Sequence, residues 1–217
     1  MIKSLPRIYP ILDSSVVPAN GRKEFLERLG ASLTDAGVTL LEYRQKKGTE
    51  ADLLAAAEVL RGAMPAGVVK LILDDRADLV DRVGFDGVHV DAGDVSVSEA
   101  RRLVGPGRIV GTFGGSDSLV PGVLEEPADY FSIGPVFTTA TKQTDKRPIG
   151  VEGVRQLREQ AGPDPVLVAA AGITLEIAPL VLAAGANTVA VAAALFTMPN
   201  PAEEFRRWMD VLCQATV

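Results

Sequence analysis

The chain has 217 residues, 47% hydrophobic and 23% charged, which is ordinary for a soluble globular protein and leaves room for one compact domain without a large insertion. Its net charge of −6, with Lys and Arg spread rather than blocked, argues against nucleic acid as the main partner, because no basic surplus is present to displace counterions. No stretch approaches the ~18 apolar residues of a membrane span, the segment from Met1 to Pro6 lacks an apolar signal core, and the single cysteine, Cys213, excludes an internal disulfide, so a reducing cytoplasm and no membrane partner are expected.

Buried parallel strands read as short, continuous apolar runs. In chain order such runs occupy residues 8–12, 38–43, 68–73, 87–90, 108–112, 129–133, 166–170 and 188–192. Residues 24–36 and 52–63 fill the first two intervals with apolar side chains at helical spacing. Residues 76–83 follow the third run, and 97–103 follow the fourth behind Ser96, a residue type that caps helix starts. The helix expected around 119–124 is interrupted by Pro121 and Gly122. Residues 154–160 and 201–213 continue the helical pattern.

A loose internal repeat supports this reading. Gly37-Val38-Thr39, Gly84-Phe85-Asp86-Gly87-Val88, Pro127-Ala128-Asp129-Tyr130 and Gly185-Ala186-Asn187-Thr188-Val189 each follow a helical stretch and open a strand. Where glycine leads, it can end the helix with a left-handed cap, and a short polar residue enters the next strand. Such spacings suit βα units. An open doubly wound sheet uses the same units, but its Gly-x-Gly-x-x-Gly turn is absent after the first run, where Leu12-Asp13-Ser14-Ser15 stands. The pattern therefore predicts an α/β protein, a single-domain (β/α)8 TIM barrel over residues 1–217.

The polar clusters fall at the ends of these runs, and in such a barrel all eight strand ends converge on one rim. Arg44 and Lys46 share the parity of one strand face, so both can reach the barrel mouth, where a guanidinium fork and a compact ammonium suit phosphate oxygens. A solvated charge run from Arg44 to Lys47 is the alternative. Asp74-Asp75 leaves a buried strand as two adjacent acids, which suits a cation such as Mg2+ with Asp94 as second ligand. Helix capping by Asp75 and by Asp94 explains the same residues without a metal. Thr139-Ala140-Thr141-Lys142 offers two hydroxyls and an ammonium to an anion, and Ala171-Gly172-Ile173-Thr174 occupies the place of a barrel phosphate loop. Together these clusters suggest an enzyme acting on phosphorylated small molecules.

These motifs resemble those of the thiamine-phosphate synthase family along nearly the whole chain. The Gln-x-Arg-x-Lys pattern matches Glu42, Arg44 and Lys46, with glutamate for glutamine; the Asn-Asp pair appears as Asp74-Asp75. The stretch from Asp86 to Asp94 keeps Asp-Gly-Val-His and the final aspartate but loses Gly-Gln to Asp91-Ala92. The block from Ala128 to Lys142 is nearly whole, with Thr138 replacing proline. Departures are Gly111-Thr112-Phe113-Gly114-Gly115 for Gly-x-Ser-x-His, Ala171 for the first glycine of Gly-Gly-Ile-Thr, and Val191-Ala192-Ala193-Ala194 for Val-x-Ser-Ala.

The resemblance implies a transferase joining a hydroxymethylpyrimidine pyrophosphate to a thiazole phosphate. It implies Mg2+ on Asp75 and Asp94, and Arg44, Lys46 and Lys142 as catalytic cations at the leaving pyrophosphate. Substrate contacts would come from Glu42, Arg44, Lys46, Asp74, Phe113, Thr139, Thr141, Lys142, Ala171, Gly172, Ala192 and Ala193. If Ala171 needs a positive φ, its methyl crowds an anion held on backbone N–H groups. Phe113 either enters the pocket or plugs the barrel as core. Two other readings stay open: a thiazole tautomerase, whose histidine would fall at Gly115, and a non-catalytic phosphate-ligand-binding protein. Partners are expected to be small phosphorylated molecules, with self-association undecided.

Overall fold

The structure is a computed structural model describing residues 4–139 and 145–214. Eight strands, β1 Ile8–Asp13, β2 Leu40–Arg44, β3 Lys70–Asp74, β4 Gly87–Val90, β5 Ile109–Gly115, β6 Tyr130–Ile133, β7 Leu167–Ala170 and β8 Thr188–Val191, pair in sequence order and close with β8 beside β1. All pairs are parallel. This is the expected (β/α)8 barrel, and each strand falls on one of the eight apolar runs.

The helices are α1 Arg22–Asp35, α2 Glu50–Ala63, α3 Val80–Val83, α4 Val97–Val104, α5 Gly150–Ala161, α6 Ala178–Ala183, α7 Ala193–Phe196 and α8 Pro201–Gln214. Thr49 and Asp52 form a reciprocal capping box on α2, and the Ser96 hydroxyl accepts from Glu99 N at the start of α4. No α-helix forms at residues 119–124: Gly122 adopts φ 74° and the chain makes only a 3-10 turn, Val123–Glu125. Pro121 and the left-handed glycine leave no uninterrupted turn for i to i−4 bonding. Among the described residues, no helix is long and apolar enough to cross a membrane.

The larger core lies between barrel and helices, where Leu26, Leu33, Leu60, Val88, Leu157 and Trp208 are buried. A second cluster fills the lumen with Tyr9, Leu40, Ile72, Ile109, Tyr130, Val166, Val168 and Ala190. Period-two alternation then carries the inward faces up to the mouth as Asp13, Glu42, Arg44, Asp74, His89 and Phe113.

The internal repeat has a physical basis at the opposite end of the barrel. Asp86, Asp129 and Asn187 precede β4, β6 and β8, and each side chain accepts from a backbone N–H of the preceding strand: Leu71, Val110 and Leu167. Each is also held by an arginine from the helix that leads into that preceding strand, Arg61 of α2, Arg101 of α4 or Arg158 of α5, which bonds loop carbonyls as well. Three recurring polar clamps therefore fix strand order away from the mouth.

Candidate active site

At the mouth, β2 and β3 bring cations and acids together. Arg44 Nη1 bonds Asp13 Oδ2, and Arg44 Nε lies 3.6 Å from Asp74 Oδ2. Lys46 Nζ lies 2.9 Å from the same Asp74 oxygen and bonds Asp75 Oδ2. Arg44 and Lys46 are therefore not a solvated charge run. Burial opposes the charge on Lys46, but Asp74 and Asp75 outweigh it and raise its pKa. Burial and then the Asp75 charge push Asp74 upward, with Lys46 opposing.

Asp75 does not cap a helix. Its backbone stands at φ 66°, its N–H donates to His89 O at 2.8 Å, and Arg76 occupies the cap position of the following 3-10 turn. Its Oδ1 is buried without a hydrogen-bond partner among the described residues. Asp94 accepts from Asp91 N at 2.8 Å, while Ser96, not Asp94, caps α4. Burial raises the Asp94 pKa; the Asp91 N–H opposes this and the adjoining Asp75 carboxyl adds to it. The two acids expected to share a cation thus stand against each other.

The cavity floor is a polar network that sequence reasoning missed. Tyr9 donates to Glu42 Oε2 at 2.9 Å, the Tyr9 and Tyr130 hydroxyls are 2.9 Å apart, and Tyr130 Oη is 3.1 Å from His89 Nδ1. His89 Nε2 faces Asp91 Oδ1 at 3.6 Å. Burial pushes Glu42 up to about 7; His89 and the Tyr9 bond pull against it, and Asp74 and Asp91 add to it. Burial opposes charge on His89, but Asp91 and Glu42 outweigh it and raise its pKa. A β-carbon at Gly111 would sit 1.9 Å from Tyr130 Cζ, so only glycine leaves room for this ring. The available signal was parity, since Tyr9, His89 and Tyr130 occupy inward positions of their strands.

These elements surround a cavity of about 590 Å³. Glu42, Arg44, Asp74, His89 and Asp91 line one part; Thr139, Ala171, Gly172, Ala192 and Ala193 line the rest. Lys46, Asp75 and Asp94 join this lining through the contacts above. Phe113 also lines the cavity and is only partly buried, so it is a pocket residue and not a core plug. Ala171 has φ 75°, the left-handed geometry that its methyl opposes, and Gly172 follows at φ 66°, where a β-carbon would meet Thr138 O at 2.5 Å and Phe137 C at 2.7 Å. Thr141 and Lys142 lie outside the described residues. At Gly115 a β-carbon would meet Ser118 O at 2.2 Å, so this loop has no place for a histidine.

A barrel whose strand ends gather two cations, three aspartates and a glycine-containing loop around one cavity belongs to the phosphate-handling (β/α)8 proteins. Comparison with known proteins is more specific. The family model described as thiamine monophosphate synthase (TMP-TENI) matches residues 8–195. Thiamine-phosphate synthase of Koribacter versatilis is 38% identical over 202 residues, covering 93% of this chain and 94% of that protein. The enzyme of the same name from Agrobacterium fabrum is 35% identical over 215 residues and 96% of each. Among solved structures, thiamine phosphate pyrophosphorylase from Pyrococcus furiosus superposes with TM-score 0.76 at 25% identity over 97% of each chain. The chain belongs to the thiamine monophosphate synthase family.

Proposed function

We propose that the chain is a thiamine-phosphate synthase, a transferase that condenses hydroxymethylpyrimidine pyrophosphate with thiazole phosphate and releases pyrophosphate. The observation that carries this reading is the meeting of Arg44 and Lys46 with Asp74, Asp75 and Asp94 beside a cavity large enough for two small substrates. In the reaction the bond from the pyrimidine methylene carbon to the pyrophosphate oxygen breaks, and its electron pair leaves with pyrophosphate. The thiazole nitrogen lone pair forms the new carbon–nitrogen bond. Charge grows on the departing oxygens, and cations held in place before the reaction lower the barrier without reorganising. Arg44 and Lys46 are so held by their carboxylate partners, and Lys142 is assigned the same role from the sequence motif.

The residues fit a magnesium ion. Asp75 Oδ1 is a buried, unsatisfied oxygen beside the Asp94 carboxyl, and a hard cation would satisfy both. Among the described residues no cluster of three His, Cys, Asp or Glu side chains forms a complete metal site, so the remaining ligands would be water and substrate phosphate. When bound, the ion supplies charge neutralisation at pyrophosphate; Asp75 and Asp94 hold it, and Lys46 orients Asp75. Glu42 and the Tyr9–Tyr130–His89 group would receive the pyrimidine edge, while the Ala171–Gly172 and Ala192–Ala193 backbones would receive the thiazole phosphate. A cytoplasmic location goes with this biosynthetic role.

The test is turnover with both substrates, with and without Mg2+. Metal-dependent formation of thiamine phosphate is expected. Binding of both substrates without product would overturn the synthase reading in favour of a ligand-binding protein. The tautomerase reading loses its histidine at Gly115 and has no observation in its favour.

A further inference from the structure

Asp74 closes β3 as a buried carboxylate that lines the cavity. Other acids of the rim have backbone donors: Asp13 accepts from Ser15 N at 2.9 Å, and Asp94 accepts from Asp91 N at 2.8 Å. Among the described residues no backbone N–H donates to the Asp74 side chain. The cations within ion-pair distance of it are Lys46, with Nζ 2.9 Å from Oδ2, and Arg44, with Nε at 3.6 Å. Asp75, next along the chain, adds a second negative charge beside it, and His89 adds only a smaller attraction.

These same two cations are the ones assigned to pyrophosphate. A buried charge that loses its partners is costly, because neither water nor a backbone dipole replaces them. An anion arriving alone must draw Lys46 and Arg44 from Asp74, and it also meets the repulsion of Asp74 and Asp75. An anion arriving with a divalent cation brings positive charge of its own, so the donors of Lys46 and Arg44 can be shared between Asp74 and the phosphate oxygens. The asparagine of the thiamine-phosphate synthase pattern would need no counter-ion at this place; the aspartate here does. Leaving a charge unpaired against the wrong ligand is a way to discriminate that contacts with the right ligand alone do not supply.

We propose that Asp74 is a specificity-determining residue of the rim: it holds Arg44 and Lys46 from within, keeps metal-free phosphates out, and admits pyrophosphate only with a divalent cation on Asp75 and Asp94. The ligand selected is the metal complex of a diphosphate over a free phosphate or free pyrophosphate. This inference rests on the synthase reading only for the substrate that carries the diphosphate.

The experiment is calorimetry on the full chain at pH 8, titrated with inorganic pyrophosphate in EDTA and again in saturating Mg2+. Unaltered protein is compared with Asp74→Asn and, as a second neutral variant of smaller size, Asp74→Ser. In EDTA both variants should bind pyrophosphate about tenfold or more tightly than the unaltered chain, the worth of a recovered charged contact. In Mg2+ the three proteins should agree within about threefold. A gain of binding cannot come from a variant that fails to fold, and a melting curve confirms that each is folded. Inorganic phosphate in EDTA should show the same gain. Unchanged or weaker metal-free binding in both variants overturns the proposal, as does a gain of equal size in Mg2+, which would make Asp74 a simple source of repulsion. Equal pyrophosphate affinity of the unaltered chain in EDTA and in Mg2+ also overturns it. Turnover by the unaltered chain tests the synthase reading separately: metal-gated pyrophosphate binding in a chain that makes no thiamine phosphate would sink that reading and leave this inference standing.

Discussion

The Tyr9 hydroxyl donates to Glu42 Oε2 at 2.9 Å, deep in the lumen where both side chains are almost inaccessible to water. Burial is the largest influence on Glu42 and lifts its pKa from 4.5 to about 7; His89 and the Tyr9 bond oppose the rise, and Asp74 and Asp91 add to it. At a pH below that value the site contains a neutral carboxylic acid, which can donate as well as accept. A charged carboxylate there would repel pyrophosphate; a neutral acid would not.

That shift has a sign for stability. The folded value lies above the ordinary one, so the favourable contribution is complete below about 4.5 and is lost as pH rises through about 7. Glu42→Gln removes this dependence while keeping a polar group for Tyr9. Between pH 4 and pH 8 the variant should gain stability relative to the unaltered chain, by on the order of 3 kcal/mol at most. Asp74 and His89 titrate in both proteins, so the difference between urea-unfolding curves reports chiefly on Glu42. Parallel curves across that range would show that Glu42 does not change charge there.

Asp75 and Asp94 predict a metal requirement for pyrophosphate. Calorimetry should detect inorganic pyrophosphate with Mg2+ and lose most of that affinity in EDTA. Asp75→Asn and Asp94→Asn should each remove the metal response, while raising thermal stability slightly by relieving the repulsion between the two acids. Equal pyrophosphate affinity in metal and in chelator would take the cation out of the mechanism.

The barrel was legible because its signals are local. A buried parallel strand must be apolar on both faces, so each of the eight runs declares itself, and Ser96 announces a helix start by its own hydroxyl chemistry. The rim acids and bases were legible for the same reason, as polar residues abruptly ending such runs. The floor was not: Tyr9 and Tyr130 are 121 residues apart, and their meeting depends on barrel closure and register. Read as inward-facing positions, Tyr9, Glu42, Asp74, His89 and Tyr130 would have been found together. The helix expected at 119–124 does not form, because Pro121 and the left-handed Gly122 outweigh the general βα alternation on which that expectation rested.

The clamps at the far end predict a stability defect separable from catalysis. Asp129 is buried, bonded by Arg101 and by the Val110 N–H at 2.9 Å. Asp129→Ala should cost about 2–4 kcal/mol, because it leaves a buried N–H and the Arg101 guanidinium without this acceptor. Chemical denaturation should show the loss, with KM for both substrates unchanged at a temperature where the variant is folded. A loss below about 0.5 kcal/mol would mean that water replaces the carboxylate without penalty.

Ala171 stands at φ 75° on the cavity wall, where Gly172 continues the left-handed backbone. An L side chain in this region costs about 1–2 kcal/mol, and glycine avoids that cost while losing about 0.5–1 kcal/mol to the entropy of the unfolded chain. Ala171→Gly should therefore leave stability unchanged or raise it by about 1 kcal/mol, unlike most glycine substitutions. The methyl also stands beside the backbone N–H groups proposed to receive thiazole phosphate, so its removal should tighten that ligand by up to about tenfold, the worth of one recovered charged hydrogen bond. Pyrophosphate, held across the cavity by Arg44 and Lys46, should bind with the same affinity in both proteins. Calorimetry with the two anions, beside a melting curve, reads all three outcomes. Tighter pyrophosphate with unaltered thiazole phosphate would assign the Ala171 loop to the wrong substrate.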